Sequence, residues 1–370
     1  MNKIRIGIIG VGIIAETHLT KYQNIAECEV VAACDIDQAR LDMMCEKYKI
    51  PDKYDNIARL LERDDIDAID VCLHNCLHEP VTIAALRAGK DVYCEKPMAG
   101  SYYDALKMYQ VMQETGKKLH IQLNWLYKYN TAIAKEIIDS GDLGHIYHVK
   151  SCGYRRRGRP YVDGYANKEF VNSDWSGGGA LFDMGVYYIS QLLFLLNNPE
   201  PIHITGHIYQ ETDMDQNRRE ISNYNVEEFG IGLVDFKGGL TMNITEAWAV
   251  HMNKFEGSSI MGSKGGIRLD PLSYHTNFHD FQMDSTFDQE AAKYRDSTVY
   301  PEKMAFRDSQ QHWISTLRGE CPLLPTAEIA LTTQLIQEGI YLSSKLGRQV
   351  TAEEVKQMSK SNSRVLPNLV

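Results

Sequence analysis

The stretch Gly10-Val11-Gly12-Ile13-Ile14-Ala15 decides the fold, because it lies directly between an apolar strand and a helical segment. Gly10 allows a tight turn, Gly12 lets the main chain approach a pyrophosphate, and Ala15 is small enough for the helix to pack on the strand. The start of the helix offers N–H groups and the positive end of the helix dipole to phosphates. The pattern therefore predicts a dinucleotide-binding turn. The residues expected to bind the dinucleotide are Gly10, Gly12, Ile13, Ile14 and Ala15.

Asp35 supplies a second signal for a bound dinucleotide, against the alternative of a glycine turn that binds no nucleotide. It ends the second predicted strand, roughly 20 residues after the turn, where an acid can hydrogen-bond the ribose hydroxyl groups of the adenosine. A carboxylate there repels a 2′-phosphate, so the sequence predicts NAD(H) rather than NADP(H). Arg40 lies nearby in the sequence and weakens that preference.

Outward from the turn, residues 1–123 alternate strands with helical segments. This alternation predicts a parallel sheet covered on both faces, the doubly wound Rossmann arrangement of an α/β domain. The predicted strands are Ile4–Ile9, Glu29–Cys34, Ile66–Leu73, Asp91–Cys94 and Lys118–Leu123. The predicted helices are Ile13–Asn24, Gln38–Tyr48, Glu79–Ala88 and Tyr102–Thr115. We therefore assign residues 1–123 to an NAD-binding Rossmann domain.

Residues 124–370 follow a different order, which predicts an α+β domain on an open, mostly antiparallel sheet that binds the substrate and forms subunit contacts. Its predicted strands are His145–Tyr154, His203–Tyr209, Glu228–Phe236, Leu240–Ala249, Ser258–Gly262 and Gly265–Leu269. Its predicted helices are Ile133–Ser140, Ala180–Leu196, Phe306–Arg318 and Ala327–Lys345, the last of which can pack back on the first domain. An open sheet leaves one face without helices, so we expect a homo-oligomer.

The length and composition fit two globular domains and exclude several partners. A chain of 370 residues exceeds what one hydrophobic core usually supports. The formal net charge of -10 repels phosphate, so we expect neither a nucleic acid nor a membrane as a partner. No apolar stretch reaches the roughly 20 residues of a membrane helix. Eight cysteines in so long a chain suit thiols in a reducing compartment, so we expect a cytoplasmic protein.

Cys72, His74, Cys76 and His78 alternate along the chain and raise the question of a metal site. On a strand, alternating side chains point the same way. Structural zinc sites, however, usually pair ligands across a turn and draw on two separate segments. We therefore interpret these residues as the end of a strand that continues into a loop, and we expect no metal.

Two further motifs carry residue types suited to catalysis. Cys94-Glu95-Lys96-Pro97 stands at the C-terminal end of the fourth predicted strand, the edge at which open parallel sheets bind ligands, so Lys96 should project into the crevice. The bond before the proline can be cis. Gly177-Gly178-Gly179 lets the main chain pass close to a flat group, and Asp183 and Tyr187 lie four residues apart on one face of the predicted helix. The alternatives are a solvated lysine, an acid near a helix start and a core tyrosine.

Together the glycine turn, the Glu-Lys-Pro turn and the Gly-Gly-Gly…Asp…Gly segment resemble the Gfo/Idh/MocA oxidoreductase family, which includes glucose–fructose oxidoreductase, inositol dehydrogenase and related sugar dehydrogenases. The resemblance covers nearly the whole chain, including the closing segment Pro322–Val350. It implies an NAD-dependent enzyme whose catalytic residues are Lys96, Asp183 and Tyr187. It also implies cofactor contacts from Leu73, Asn75, His78, Glu95 and Lys96. The implied substrate contacts are Lys96, Tyr127, Arg157, Asp183 and Tyr187.

Tyr187 stands where the family often has a histidine base, and the unperturbed pKa of a tyrosine, about 10, is too high for a base at neutral pH. A neighbouring ammonium group such as that of Lys96 would lower this pKa. Lys96 can also accept the proton itself once desolvated. We therefore expect Lys96 and Tyr187 to handle the hydroxyl proton while Asp183 holds the sugar. His251 and His312 are the next candidates for the base.

The substrate is left open by departures from the family pattern: His74 stands where proline is common, and Lys128-Tyr129 where an Arg-Tyr pair is common. The run Arg155-Arg156-Arg157-Gly158-Arg159-Pro160 before the triple glycine resembles family branches that oxidise the C3 hydroxyl of glucosides. It can equally be a solvated face, a pocket wall or a subunit contact. We expect hydride transfer from a secondary hydroxyl of a sugar or glycoside to the nicotinamide, which gives a keto sugar. The alternatives are a redox-neutral NAD-dependent glycosidase, an inositol dehydrogenase and a non-catalytic dinucleotide sensor.

Overall fold

The glycine turn joins the first strand of a parallel sheet to its first helix. The computed structural model describes residues 3–366 and Leu369, so the extreme ends of the two predicted domains lie outside it. The strands of this sheet are β1 (Ile4–Ile9), β2 (Cys28–Cys34), β3 (Asp52–Tyr54), β4 (Ala68–Val71), β5 (Asp91–Cys94) and β6 (Leu119–Ile121). They run parallel in the order β3-β2-β1-β4-β5-β6, which confirms the predicted Rossmann arrangement. The order reverses between β1 and β4, where open α/β sheets bind ligands.

Local signals set the ends of several helices in this region. The side chain of Asp37 accepts the N–H of Arg40 at the start of one helix, and Ser101 accepts the N–H of Asp104 at the start of another. The helices are α1 (Ile13–Tyr22), α2 (Gln38–Tyr48), α3 (Ile57–Leu61), α4 (Asn75–Arg87) and α5 (Tyr102–Thr115). The predicted bounds of α2, α5 and β5 are confirmed. The sequence did not predict β3 and α3, because both are too short for a periodic pattern.

Helix α4 begins four residues before its predicted start at Glu79. Pro80 lies inside the helix and has no N–H to donate to the carbonyl oxygen of Cys76. The main-chain N–H of Arg364 donates to that oxygen instead, at 3.0 Å. A distant segment supplies the hydrogen bond that the local sequence lacks, so the predicted start was wrong.

The second sheet is open and mostly antiparallel, as predicted. Its described strands are β7 (Ile146–Tyr154), β8 (Pro201–Tyr209), β9 (Phe229–Phe236), β10 (Thr241–Ala247), β11 (Ser259–Gly262), β12 (Gly265–Leu269), β13 (Leu272–Phe278), β14 (Phe281–Thr286) and β15 (Val350–Thr351). They follow the order β14-β13-β12-β11-β7-β10-β9-β8-β15, in which β7 and β10 are parallel neighbours. The sequence did not predict β13 and β14, although Leu272, Tyr274 and Phe278 alternate with other residues along β13.

The helix predicted over Ala180–Leu196 is interrupted at Met184, and the prediction that Asp183 and Tyr187 share one continuous helix face is wrong. The N–H of Tyr187 bonds to the carbonyl oxygen of Met184, three residues back, at 3.1 Å. The remaining helices are α6 (Tyr129–Asp139), α7 (Ser173–Ser176), α8 (Ala180–Asp183), α9 (Gly185–Leu195), α10 (Gln216–Ser222), α11 (Gln289–Val299), α12 (Ser309–Leu317), α13 (Thr326–Leu346) and α14 (Ala352–Met358). Short 3₁₀ helices span Asn124–Tyr127, Lys168–Val171 and Pro301–Phe306.

The chain divides into two compact units that are not contiguous in sequence. Unit 1 combines Met1–Gln122 with Asp308–Leu331 and Lys360–Val370, and it contains the parallel sheet. Unit 2 combines Leu123–Arg307 with Thr332–Ser359, and it contains the open sheet. The chain therefore returns to unit 1 twice after leaving it. The predicted domain ranges, 1–123 and 124–370, assign both returning segments to the second domain.

Helix α12 shows why the first return matters for the core of unit 1. Trp313 and Ile314 of this helix are fully buried, and they pack in one apolar cluster with Ile6 of β1 and Tyr22 of α1. Burial of large apolar side chains is the main stabilising contribution to a core. A helix that lies nearly 200 residues beyond β6 thus completes the core around the first strand.

Within the residues that the structure describes, no single helix is long and apolar enough to cross a membrane. One bent pair, Ser173–Asp183 with Gly185–Leu195, meets the same criterion by length and composition alone. Helix α9 of that pair is largely buried within the protein.

Arg159, the last arginine of the run after β7, is buried, with 2% of its side chain exposed. Its guanidinium group binds the carboxylates of Asp163 and Glu228, each at 2.9 Å, and Glu228 is 1% exposed. It also donates to the carbonyl oxygen of Thr212 at 3.1 Å. Arg157 differs, because 77% of its side chain is exposed. The run is therefore not one solvated face, since one of its arginines is an internal counter-charge.

Replacing Arg159 by methionine should destabilise the protein by about 3–5 kcal/mol, because the carboxylates of Asp163 and Glu228 would stay buried without their counter-charge. Arg157→Met is the matched control and should change the free energy of unfolding by less than about 1 kcal/mol, since 77% of the Arg157 side chain is exposed. Urea unfolding at neutral pH compares the two variants. Equal losses of stability would contradict the role assigned to Arg159.

Candidate active site

The glycine turn is built around a left-handed main chain at Gly10, where φ is +87°. The N–H of Gly10 donates to the carbonyl oxygen of Cys34 at the end of β2, at 2.8 Å. A side chain at this position would collide with the carbonyl oxygen of Cys72, which follows β4. Only glycine therefore lets the chain leave β1 between its two neighbouring strands.

The start of α1 is accessible to a ligand. A Cβ atom at Gly12 would meet no atom within 4 Å, so packing inside the protein does not require glycine there. Ile13 and Ile14 follow with 60% and 39% of their surface exposed, whereas Ala15 is fully buried and packs with Ile8 of β1. An open glycine at the positive end of a helix fits the pyrophosphate of a dinucleotide.

Asp35 lies directly after β2 and contacts the glycine turn. Its Oδ2 atom accepts the N–H of Val11 at 2.8 Å, and its Oδ1 atom accepts the N–H of Asp37 at 2.9 Å. The side chain is half-buried. The carboxylate therefore fixes the main chain of the turn, a role that the sequence did not predict for it.

The residues after β4 differ from the predicted strand end that continues into a loop. Cys76 and His78 lie on α4, so the predicted loop is wrong for these two residues. His78 is fully buried, and its ring nitrogens face the carbonyl oxygens of Leu73 (3.0 Å) and Pro97 (2.8 Å). Burial lowers the pKa of His78. The ring thus links the end of β4 to the Glu-Lys-Pro turn, while Leu73 and Asn75 are half-buried at the start of α4.

Lys96 follows β5 in a turn that begins with a buried carboxylate. Glu95 is 5% exposed, and its Oε2 atom accepts the main-chain N–H of Lys96 at 3.0 Å. Its Oε1 atom lies 2.7 Å from Nε2 of His18 on α1. The Lys96–Pro97 bond is cis, as the sequence allows. Lys96 itself is half-buried.

In unit 2, the carboxylate of Asp183 at the end of α8 is held by an indole. The Nε1–H group of Trp248, directly after β10, donates to Oδ2 of Asp183 at 2.9 Å. Arg155 lies farther from the same oxygen, at 3.9 Å, and 18% of the Asp183 side chain is exposed. Trp248 is 1% exposed, so the hydrogen bond is made on a rigid, buried ring.

Tyr187 on α9 stacks on Trp125, with the ring centroids 5.8 Å apart. The other contacts of Trp125 are an edge-on ring of Tyr188 (4.3 Å) and the ammonium group of Lys128, 3.3 Å from the ring centroid. Burial lowers the pKa of Lys128. Tyr127, which the resemblance implies as a substrate contact, is 3% exposed and lies in the core.

Glu227 binds the main chain where the triple-glycine segment leads into α8. Its carboxylate accepts the N–H groups of Gly179 (2.9 Å) and Leu181 (2.8 Å). Burial raises the pKa of Glu227 to about 7, although these bonds and one from Tyr341 favour the carboxylate. Side chains at Gly178 and Gly179 would collide with Tyr341 and Glu227 respectively. Packing inside unit 2 therefore explains these glycines, which the sequence analysis attributed to a bound flat group.

A pocket of about 740 Å³ in unit 2 contains part of the arginine run. Its lining includes Arg156, Arg157 and His251. Arg157 lies 3.3 Å from Asp163 and is otherwise exposed. His312, the other histidine considered as a base, is fully buried in unit 1, where its Nε2 atom accepts the N–H of Leu324 at 3.0 Å.

Each unit thus brings together its own set of candidate residues: the glycine turn, Asp35, His78 and the Glu-Lys-Pro turn in unit 1, and Asp183, Tyr187 and the pocket at Arg157 in unit 2. Sequence reasoning missed His18, Trp125, Glu227 and Trp248. One signal was present, because Glu227 and Glu228 stand together at the start of a predicted strand and buried acids need partners. The others had no local signal.

Comparison with known families matches two models to this chain. The model described as "Oxidoreductase family, NAD-binding Rossmann fold" matches residues 4–123, and "GFO/IDH/MocA C-terminal domain" matches residues 131–268. The two matches together cover more than half of the chain.

Individual relatives agree with these matches. D-glucoside 3-dehydrogenase of Escherichia coli (strain K12) is 25% identical over 355 residues, which span 94% of this chain and 97% of that one. Inositol 2-dehydrogenase of Salmonella paratyphi B is 34% identical over 155 residues, 41% of this chain and 46% of that one. The WlbA dehydrogenase from Bordetella pertussis, solved with NADH and UDP-GlcNAcA, has the same fold: the TM-score is 0.77 at 21% identity, covering 95% of this chain and 98% of that one.

Glu227 should make stability depend on pH near neutrality. Because its pKa is raised to about 7, folding favours the protonated form; this contribution is present below about pH 4.5 and is lost as the pH rises through 7. The free energy of unfolding should therefore fall by on the order of 3 kcal/mol from about pH 5 to about pH 8, relative to Glu227→Gln, which does not titrate. Urea unfolding across this range measures the difference. Parallel pH profiles of the two proteins would contradict the assignment.

Proposed function

This chain belongs to the Gfo/Idh/MocA oxidoreductase family, whose N-terminal domain is an NAD-binding Rossmann fold, and on that premise we propose that it oxidises a secondary hydroxyl group of a sugar or glycoside. The favoured position is C3 of a glucoside, and the product is a keto sugar. The observation that carries the proposal is the end-to-end similarity to D-glucoside 3-dehydrogenase. An inositol is the second candidate, because the match to inositol 2-dehydrogenase has the higher identity over a shorter stretch.

The cofactor is NAD, and we assign its binding to the described residues of unit 1. The pyrophosphate lies at Gly10, Gly12 and the first turn of α1, where exposed N–H groups and the helix dipole favour negative charge. Asp35 binds the adenosine ribose and repels a 2′-phosphate, so NADP binds less well. The remaining contacts are assigned to Leu73, Asn75, His78, Glu95 and Lys96. When bound, NAD accepts the hydride from the substrate carbon.

We assign the movement of the hydroxyl proton to Lys96 and Tyr187. As the substrate C–O bond becomes a carbonyl, the hydroxyl group loses its proton to a group placed at the oxygen. An ammonium group next to a phenol favours the phenolate, which is the reason for pairing Lys96 with Tyr187 in this proposal. Stacking on Trp125 supports this assignment, because it restricts the Tyr187 ring to one orientation.

Asp183 is assigned to the substrate hydroxyl groups. The indole of Trp248 fixes the orientation of its carboxylate, so less conformational freedom is lost when a sugar binds. Arg157 is assigned to the far side of the substrate, because it lines a pocket large enough for a sugar or an aglycone. Tyr127, although 3% exposed, stays a proposed substrate contact on the family resemblance alone.

Purified protein should reduce NAD when it is supplied with a glucoside. The assay is absorbance near 340 nm, with NAD or NADP as oxidant and with free sugars, glucosides and inositols as donors. We expect NADH formation with glucosides and a slower reaction with NADP, because of Asp35. Release of the aglycone without net NADH would indicate the redox-neutral glycosidase instead. Reduction with inositols alone would favour the second candidate, and binding of NADH without turnover of any donor would indicate a dinucleotide sensor.

Loss of either member of the proton-transfer pair should lower turnover while leaving NAD binding nearly unchanged, since the dinucleotide is held mainly by the glycine turn. General acid–base assistance is typically worth about 10² to 10⁴ in rate. The double variant should lose little more than either single variant, because the two groups act together. Steady-state kinetics on Lys96→Met, Tyr187→Phe and the double variant test this, with melting temperatures as the control for folding. Near-normal turnover of Lys96→Met would end the proposal.

A homo-oligomer is proposed from the uncovered face of the open sheet. Apolar side chains lie on this face, among them Ile231, Leu233 (45% exposed) and Met261 (38% exposed). Water contact with such a face is unfavourable, so a second copy should cover it. We also propose a cytoplasmic location, because eight cysteines in a chain of this length suit a reducing compartment.

Light scattering at micromolar concentration should therefore give a mass of at least twice 42.1 kDa. Leu233→Glu places a charge on the proposed interface and should shift the protein toward the monomer. Ile202→Glu is the matched control, since Ile202 is similarly exposed (39%) on neighbouring β8 but lies at an irregularity outside the regular pairing with β9. A monomeric parent protein would contradict the interface.

A further inference from the structure

A buried group of charged side chains links the cofactor helix to the proposed catalytic lysine. His18 on α1 is fully buried, and so is Asp70 on β4. Nδ1 of His18 lies 2.9 and 3.1 Å from the two carboxylate oxygens of Asp70, and Nε2 lies 2.7 Å from Oε1 of Glu95. Neither His18 nor Asp70 has a role in the proposed chemistry.

Both ring nitrogens of His18 face carboxylate oxygens, which only accept hydrogen bonds. A neutral imidazole would point a lone pair at one of the two carboxylates, whereas an imidazolium donates to both. Burial alone lowers the pKa of His18, but the charge and hydrogen bond of Asp70, together with Cys72, outweigh it and hold this pKa well above its ordinary value. Burial disfavours the charged form of Glu95 as well and so raises its pKa. The hydrogen bond and charge of His18 outweigh burial and hold this pKa below its ordinary value.

Glu95 passes this constraint to Lys96. While one carboxylate oxygen accepts from His18, the other accepts the main-chain N–H of Lys96 at 3.0 Å. The chain of hydrogen bonds therefore runs from Asp70 through His18 and Glu95 to the main chain of Lys96. Because His18 lies on the helix that begins at the glycine turn, one buried charge ties the position of that helix to the position of the lysine.

We propose that His18 is a positioning residue, a permanent imidazolium that orients Glu95 and through it the main chain of Lys96. The proposal rests on the function assigned to Lys96 above. Without the imidazolium, Asp70 and Glu95 would be two buried carboxylates lacking a counter-charge, and an unpaired buried charge is strongly unfavourable. Protonation of one carboxylate, or a shift of the Glu-Lys-Pro turn, would then relieve the repulsion. Either change disturbs the Glu95 oxygen that accepts the main-chain N–H of Lys96.

A metal ion is the competing explanation for part of this cluster. Nδ1 of His18, a carboxylate oxygen of Asp70 and Sγ of Cys72 lie within 4.8 Å of one another. A metal would need the lone pair of Nδ1, and the hydrogen bond to Asp70 instead requires a proton on that atom. The burial of Cys72 raises the pKa of its thiol and so disfavours the thiolate that a metal prefers.

The charge state is tested first, without reference to activity. Other titratable groups also face the ring or its partners, and they are Tyr22, Cys72, Tyr93 and Lys96. Nitrogen-15 NMR of the imidazole rings distinguishes imidazolium from neutral histidine, and His18→Gln identifies the signal among the 12 histidines. We expect the His18 ring to stay doubly protonated from about pH 6 to about pH 9, beyond the range in which an ordinary histidine titrates. A neutral ring in this range, or a stoichiometric metal ion in the purified protein, would overturn the proposal.

The effect on Lys96 is tested with variants. His18→Gln removes the imidazolium, and Glu95→Gln removes the carboxylate, with little change in side-chain size. Glu95→Gln is measured in place of His18→Gln if the latter does not fold. We expect faster hydrogen–deuterium exchange at residues 94–97 and a kcat lowered by about 10²-fold, the cost of a misplaced catalytic group. In His18→Gln, which removes no proposed cofactor contact, the Kd for NADH should be nearly unchanged. The matched control is His120→Gln, another fully buried histidine of unit 1, which should lower the melting temperature without changing kcat or this exchange.

The proposed function and the positioning role of His18 are tested by different results. If no sugar, glycoside or inositol reduces NAD, the proposed function fails, while exchange at residues 94–97 and the NMR signal of His18 still test the positioning role. If the parent enzyme is active and both variants keep its exchange rates and its kcat, the positioning role is overturned and the function stands.

Discussion

The left-handed main chain at Gly10 is the constraint on which unit 1 depends. Its N–H group bonds to Cys34, and its missing side chain makes room for the carbonyl oxygen of Cys72, so the chain leaves β1 between β2 and β4. That exit sets the direction of α1. The same helix then presents open space at Gly12 and the exposed Ile13 on the outside, and the ring of His18 on the inside. One backbone conformation thus prepares both the cofactor turn and the buried charges behind it.

Buried polar groups, rather than apolar packing alone, hold the residues assigned to chemistry. Glu95 holds the main chain of Lys96, Trp248 holds the carboxylate of Asp183, and Glu227 holds the first turn of α8. Leaving a buried donor or acceptor without its partner costs about 1–3 kcal/mol, so each of these bonds strongly favours one geometry. Groups that must act on one hydroxyl oxygen benefit from such supports, because a small displacement lowers the rate steeply.

Local chemistry explains where the sequence predicted the fold well. The helices α2 and α5 begin at side chains, Asp37 and Ser101, that accept the first free N–H groups, and such caps are readable in the sequence. Two of the helix predictions that differ from the structure do so without a local signal. Helix α4 continues through Pro80 because Arg364 satisfies the carbonyl oxygen of Cys76, and the break at Met184 lies in an apolar segment with no proline to announce it.

The sequence by itself determined the two sheets, the glycine turn, the acid after β2 and the presence of the lysine, aspartate and tyrosine motifs, because periodicity and turn chemistry act over a few residues. The tertiary structure decided what holds them. His18 meets Glu95 across 77 residues, Asp183 meets Trp248 across 65, and Gly179 meets Glu227 across 48. A hydrogen bond between such distant groups leaves no local pattern, and its partners become neighbours only when sheets and helices have packed.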